Sequence, residues 1–191
     1  MGIEIEATFT GIDKDLYREK LKSVGATLKQ KELLMRRVVF DVSEHEFARV
    51  RDEGNCITMS YKHQDSHSLS GMQEVCVKVD SYDEAINFLL ALGFKIKSEQ
   101  ESYREEWELD GVEITIDTWP WLAPYTEIEG PSEDAVKSVS EKLGFNMEDA
   151  IYGSVDDVYI KYYKTTSHEV NFRPKILFSE EVGWEERKEN G

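Results

Sequence analysis

Strict two-residue alternation, repeated in short segments along the chain, constrains this fold more than any other feature of its sequence. Ile3, Ile5, Ala7 and Phe9 fall on one face of the first segment, and Glu4, Glu6 and Thr8 on the other. The split recurs at Arg49 and Arg51 around Val50, and at Thr58, Ser60 and Lys62 against Ile57, Met59 and Tyr61. Glu74, Cys76 and Lys78 oppose Val75, Val77 and Val79. Arg104 and Glu106 oppose Tyr103 and Trp107, while Glu113, Thr115 and Asp117 oppose Val112, Ile114 and Ile116, and Glu127 and Glu129 flank Ile128. Amphipathic strands of this kind predict a mainly antiparallel sheet or barrel, because each needs to bury only one face.

Helical patterns sit between these strands. Residues 13–24 place Leu16, Leu21 and Val24 on one stripe and stop at Gly25; residues 83–92 are rich in Ala, Ile and Leu and stop at Gly93. A third helix is expected over 132–143, with Ser132 as N-cap and Gly144 as terminator, and a fourth over 146–163. Residues 63–71 have no period and are read as a loop, and the charged tail from 179 as a frayed end. The strings EIEATF, EVCVKV and TEIEG each lead within a few residues into a helix that closes on glycine. Three such strand-then-helix units form an internal repeat and point to a pseudo-symmetric α+β domain. No linker divides the chain: 3–165 reads as one domain and 166–191 as a C-terminal extension.

Composition narrows the function. With 191 residues, 40% hydrophobic, the chain is long enough for one well-filled core and too apolar for general disorder. Asp and Glu number 39 against 23 Lys and Arg, a net charge of −16 that argues against a nucleic-acid surface. No apolar run approaches the roughly 20 residues that span a bilayer. The start, MGIEIEATF, lacks the basic and apolar regions of a secretory signal, and Glu6 stands where a myristoylation motif wants Ser or Thr. Cys56 and Cys76 are too few for a disulfide framework. The expectation is a cytoplasmic monomer or homodimer with no nucleic-acid or membrane partner.

The polar faces hold a selected mixture: Arg49, Arg51, Lys62, Lys78 and Arg104 with Glu4, Glu6, Glu74, Glu113, Asp117, Glu127 and Glu129. If the apolar faces pack under helices, the polar faces line a common interior, a charged and watery lumen if the sheet closes. Arginine forks and lysines bind phosphate oxygens. Clustered carboxylates hold hard divalent cations such as Mg²⁺ or Mn²⁺, which in turn bridge phosphates. The alternative is a set of solvated faces whose ion pairs contribute little.

The series Glu4-Ile5-Glu6, Arg49-Val50-Arg51, ITMSYK ending in Lys62, ESYREEW with Arg104, and DGVEITIDTWPWLAPYTEIEG with Asp117, Glu127 and Glu129 resembles the CYTH family, the triphosphate tunnel metalloenzymes. The likeness runs from about residue 3 to 165 in the family's order. It implies an α+β fold with an eight-stranded antiparallel β-barrel, helices packed outside, and a triphosphate bound in the tunnel. By position it makes Arg49, Arg51, Lys62 and Arg104 phosphate ligands, joined by Lys78 on the face of Glu74. Lys62 and Arg104 would also serve the chemistry. Glu4, Glu6, Asp117, Glu127 and Glu129 would be the metal group, for Mg²⁺ or Mn²⁺.

Two positions depart from the family: its motif Lys is Thr8 here, and Cys76 stands where many members have a second Glu in the central strand. Each removes an aimed charge, so the resemblance implies weakened, redirected or lost turnover with binding better preserved. Cys76 is otherwise a neutral lumen residue and Cys56 a small hydrophobe. His45, His63, His67 and His168 sit singly in loop-like sequence and are not read as bases, and Trp119-Pro120-Trp121 is read as closing a turn and packing the barrel rim. Three functions remain: a metal-dependent hydrolase of tripolyphosphate or a nucleoside or thiamine triphosphate, a class IV adenylyl cyclase, and a non-catalytic triphosphate-binding protein.

Overall fold

A computed structural model describes residues 2–43, 46–64 and 72–187. The first alternating segment is two strands, β1 (Gly2–Glu4) and β2 (Glu6–Thr10), followed by α1 (Lys14–Ser23). Then come β3 (Thr27–Ser43), β4 (Glu46–Asp52), β5 (Ile57–Gln64), β6 (Met72–Val79) and α2 (Tyr82–Ala91). The chain continues with β7 (Lys95–Leu109), β8 (Val112–Thr118), β9 (Tyr125–Glu129), α3 (Glu133–Leu143), α4 (Val155–Tyr162), α5 (Ser167–Asn171) and a short β10 (Lys175–Ile176).

The strands form one sheet in the order β1-β6-β5-β4-β3-β7-β8-β9-β2, with β10 added parallel to β7 and every other pairing antiparallel. The two ends of that order are consecutive in the chain. Only Ile5 separates β1, which pairs with β6, from β2, which pairs with β9, and its carbonyl accepts from the Gly130 amide at 3.0 Å. The other edge of β2 is met by Ile151, whose backbone exchanges two hydrogen bonds with Thr8.

Helices cover the outside. The Asp13 carboxylate caps α1 by accepting from the amides of Asp15 and Leu16, both at 3.0 Å, which satisfies donors the first turn leaves open. Ser81 and Ser132 cap α2 and α3 in the same way. Gly144 ends α3 at φ +95°, a left-handed conformation that a Cβ would penalise. The strand-then-helix repeat is present as β2–α1, β6–α2 and β9–α3. Under α1 and α3 lies the largest core, with Ala7, Phe9, Tyr17, Leu21, Val112, Ile114, Ile128 and Val136 buried. Phe9 stacks on Phe145 with centroids 4.4 Å apart. A second core, Val38, Phe40, Ala48, Val50, Ala85 and Leu89, lies between α2 and strands β3 and β4. A third gathers Trp119, Tyr125, Val158, Tyr159 and Val170 beneath α4 and α5.

Several sequence expectations change. The longest strand, β3, and the short β10 were absent from the alternating set. Register shifts between Leu28 and Gln30, Gln30 and Leu33, and Val39 and Phe40 break the period of β3 against β7. The helix expected over 146–163 is a 3-10 turn at Met147–Asp149, an extended Ile151 that pairs with Thr8, and then α4. Gly153, at φ +145°, separates the pieces. Within the described part of the tail, Trp184 packs on Trp121, Tyr159 and Tyr163, and the Lys164 amide donates to the Glu185 carbonyl at 2.8 Å. Val75 and Val77 of β6 are each 47% exposed, because α2 lies over β3 and β4 instead of over them. His63 lies in β5, whereas His45, His67 and the loop expected at 65–71 lie outside the described residues. Among the described residues no helix is long and apolar enough to cross a membrane.

Candidate functional site

The polar sides of the strands enclose a cavity of about 230 Å³. Its strand-borne polar lining comprises Glu4, Glu6, Arg37, Arg49, Arg51, Lys62, Glu74, Gln100, Arg104, Glu113, Glu127 and Glu129. Val39, Phe47, Trp119 and the 153–156 and 170–171 segments complete it. Cross-strand register explains the grouping. Glu6 faces Glu129, which faces Glu113; Arg37 faces both Arg51 and Gln100; and Lys62 faces Glu74.

Three of the cations are neutralised. Lys62 lies 2.7 Å from Glu4 and 3.7 Å from Glu74. Arg51 pairs with Glu53 at 2.7 Å. Arg104 forks onto Asp117 through two 2.8 Å bonds and reaches Glu127 at 2.5 Å. Burial alone would lower the Arg104 pKa, yet Asp117 and Glu127 together hold it well above the ordinary value.

The remaining charges lack compensation. Among the described residues Arg49 has only Glu74, at 3.6 Å, and its Nε has no hydrogen-bond partner. Burial, with Arg51 beside it, lowers its pKa to about 10. On the opposite side, Glu6 and Glu129 have no hydrogen bond or salt bridge among the described residues. Burial, then Glu127, raises Glu6 to about 8; burial, then Glu4 and Glu113, raises Glu129 to about 7. Glu4 and Glu127 are raised as well, again chiefly by burial, even with Lys62 and Arg104 opposing.

Of the residues expected from the sequence, the cavity brings together Glu4, Glu6, Arg49, Arg51, Lys62, Arg104, Glu127 and Glu129. Asp117 sits behind this group, 1% exposed, held by Arg104 and by the Thr115 hydroxyl at 2.6 Å. Lys78 is left out: its side chain is solvent-exposed and does not line the cavity. Cys76, expected in the lumen, is likewise exposed and outside the lining. Thr8 is buried opposite Glu127. Trp119 does close the turn between β8 and β9, and it also walls the cavity.

The residue the sequence reading missed is Arg37. It stands on β3, where bulges hide the alternation; the available signal was its separation by one residue from Met35 and Val39, a same-side pattern running against Arg36. Among the described residues no three of His, Cys, Asp and Glu are already arranged to hold a metal ion. The uncompensated carboxylates, all hard oxygen donors with raised proton affinity, nevertheless fit a divalent cation of the Mg²⁺ or Mn²⁺ type.

Comparison with known proteins places the chain in a family. The CYTH domain matches residues 3–159, and the chain belongs to the CYTH family. The fold is similar to that of the PH1012 protein from Pyrococcus horikoshii, with TM-score 0.69 and 21% identity over 78% of this chain and 94% of that one. A proposed adenylate cyclase from Vibrio parahaemolyticus has TM-score 0.70 at 10% identity, covering 83% and 98%. HpAC1 from Hippeastrum, a proposed adenylyl cyclase described as having a dominant triphosphatase activity, has TM-score 0.56 at 14% identity, covering 84% and 96%. No curated protein matches in sequence.

Proposed function

We propose that this protein is a metal-dependent hydrolase of triphosphates, working in the lumen of a closed barrel. Closure is supported by β1 and β2, consecutive segments that pair with opposite ends of the strand order. The observation that carries the function is the separation of under-compensated charge across one small cavity, with Arg37 and Arg49 on one side and Glu6 and Glu129 on the other. A ligand that satisfies both must itself carry both signs, and a phosphate chain with a divalent cation does.

In this reading Arg49 and Arg51 hold the phosphate chain, and Glu4, Glu6, Glu127 and Glu129 hold the ion. Asp117 fixes Arg104 from behind. The ion, when bound, would supply Lewis-acid polarisation of phosphoryl oxygens. Lys62 and Arg104 stand between the two groups, where their charges would offset the negative charge that builds as the phosphoryl group transfers. Releasing Lys62 from Glu4 exchanges one anionic partner for another, so its charge stays compensated throughout.

The size of the cavity favours hydrolysis over cyclisation. At about 230 Å³ it falls below the roughly 300–1,000 Å³ of pockets that enclose whole organic ligands. It suits a phosphate chain better than a chain with ribose and adenine folded inward. A phosphorus NMR time course with tripolyphosphate and ATP, each with Mg²⁺ and with Mn²⁺, tests this. Orthophosphate with a diphosphate product is the expected result. Pyrophosphate with cyclic AMP would establish the cyclase instead, and line broadening without product a binding protein.

A further inference from the structure

Arg37 is 5% exposed and has no carboxylate partner among the described residues. Its guanidinium stacks 4.4 Å from the Trp119 ring centroid and donates through Nη2 to the Ser102 hydroxyl, while Nε has no partner among the described residues. Its charged neighbours are chiefly like-signed: Arg51, Arg49 and Arg104. Asp117, the acid closest in effect, is already committed to Arg104 and Thr115. A buried, under-bonded cation among cations costs stability, and a stack on an indole offsets only part of that cost. Arg49, two residues along on the neighbouring strand, is the other cavity cation with an idle Nε.

We propose that Arg37 is a further substrate-binding residue, forming with Arg49 a subsite for one terminal phosphoryl group that operates without metal. This rests on the triphosphate reading above and deepens it. A terminal phosphoryl carries up to two negative charges and an internal one a single charge, so two under-bonded guanidiniums match the end of the chain. Because no carboxylate bonds to Arg37, no bridging cation is required to reverse the sign there. The rigid Trp119 stack and the Ser102 bond hold the fork in place before the ligand arrives, which limits the ordering cost of binding.

The test is calorimetric titration of tripolyphosphate, and of cyclic trimetaphosphate, which has no terminal phosphoryl, into wild type, Arg37→Met and Arg37→Lys, in EDTA and in Mg²⁺. Wild type in EDTA should bind the linear chain at least about tenfold more tightly than the ring. Arg37→Met should lose about 10- to 100-fold for the linear chain and lose the preference, with Arg37→Lys falling between. The metal-free melting temperature of Arg37→Met should equal or exceed that of wild type, a result a purely structural arginine would not give. Unchanged tripolyphosphate affinity in Arg37→Met, or wild-type binding that requires Mg²⁺, would overturn the subsite while leaving the hydrolase reading intact. Failure of wild type to bind tripolyphosphate under either condition would overturn both.

Discussion

The two sides of the cavity are built from the same kind of strand and carry opposite problems. The β1, β2 and β9 side gathers Glu4, Glu6, Glu127 and Glu129, whose pKa values are all raised. The β3 and β4 side gathers Arg37 and Arg49, whose pKa values are lowered. An interior optimised for stability alone would interleave these charges, as Arg104, Asp117 and Glu127 do at the seam. The contrast teaches that the protein keeps the signs apart at a cost to its own fold, which on the proposed function a bound phosphate chain and its cation would offset. Strain of this kind is characteristic of functional sites.

Breaking the seam should have the largest effect. Arg104→Ala leaves Asp117 buried with its cation gone, so a loss of about 3–5 kcal/mol is expected in urea unfolding, with loss of turnover. Neutralising the acidic side should do the reverse for the fold. Glu129→Gln is expected to abolish metal-dependent turnover, by at least about 100-fold, while the metal-free melting temperature holds or rises.

The acidic side also gives a pH dependence with a definite sign. Glu6 near 8 and Glu129 near 7 lie above the ordinary 4.5, so the folded state keeps protons that the unfolded chain has released. Their stability contribution is whole below about 4.5 and is lost as pH rises through about 7 to 8. In EDTA the melting temperature should therefore fall between pH 6 and 9. Mg²⁺ should flatten that fall, because it binds the ionised carboxylates of the folded form; a fall just as steep with Mg²⁺ would remove the metal from this side. The smallest effect sharpens the boundary of the site. Lys78→Ala should change KM for tripolyphosphate less than about twofold, within the range of exposed charges.

Much of this was legible in the sequence, and the reason is local. Where a strand keeps a clean period of two, as at Glu127-Ile128-Glu129 or Thr115-Ile116-Asp117, one face must be core and the other must be site. Where bulges shift the period, as in β3, the rule fails, and Arg37 was lost with it. The helix start at Ser132 was readable because a side-chain cap is a property of a few adjacent residues, whereas the cap of α2 at Ser81 lies two residues before the expected start at 83. The break in the predicted fourth helix was not, because the competing partner of Ile151 is Thr8, far away in sequence. Family resemblance supplied the order of the motifs but not the state of each charge: that Asp117 is locked behind Arg104, and that Lys78 and Cys76 face solvent, depends on register and on what each helix covers.

The split of the first segment at Ile5 also orders events in time. Its halves pair with β6 and with β9, so Glu6 meets Glu129 only after residues 125–129 have been made. Contacts spanning that much chain form slowly. Deuterium pulse labelling during refolding should find the amides of β2 among the last protected. The pairing of Glu6 with Glu129 across the acidic side of the cavity is therefore among the last contacts this chain builds.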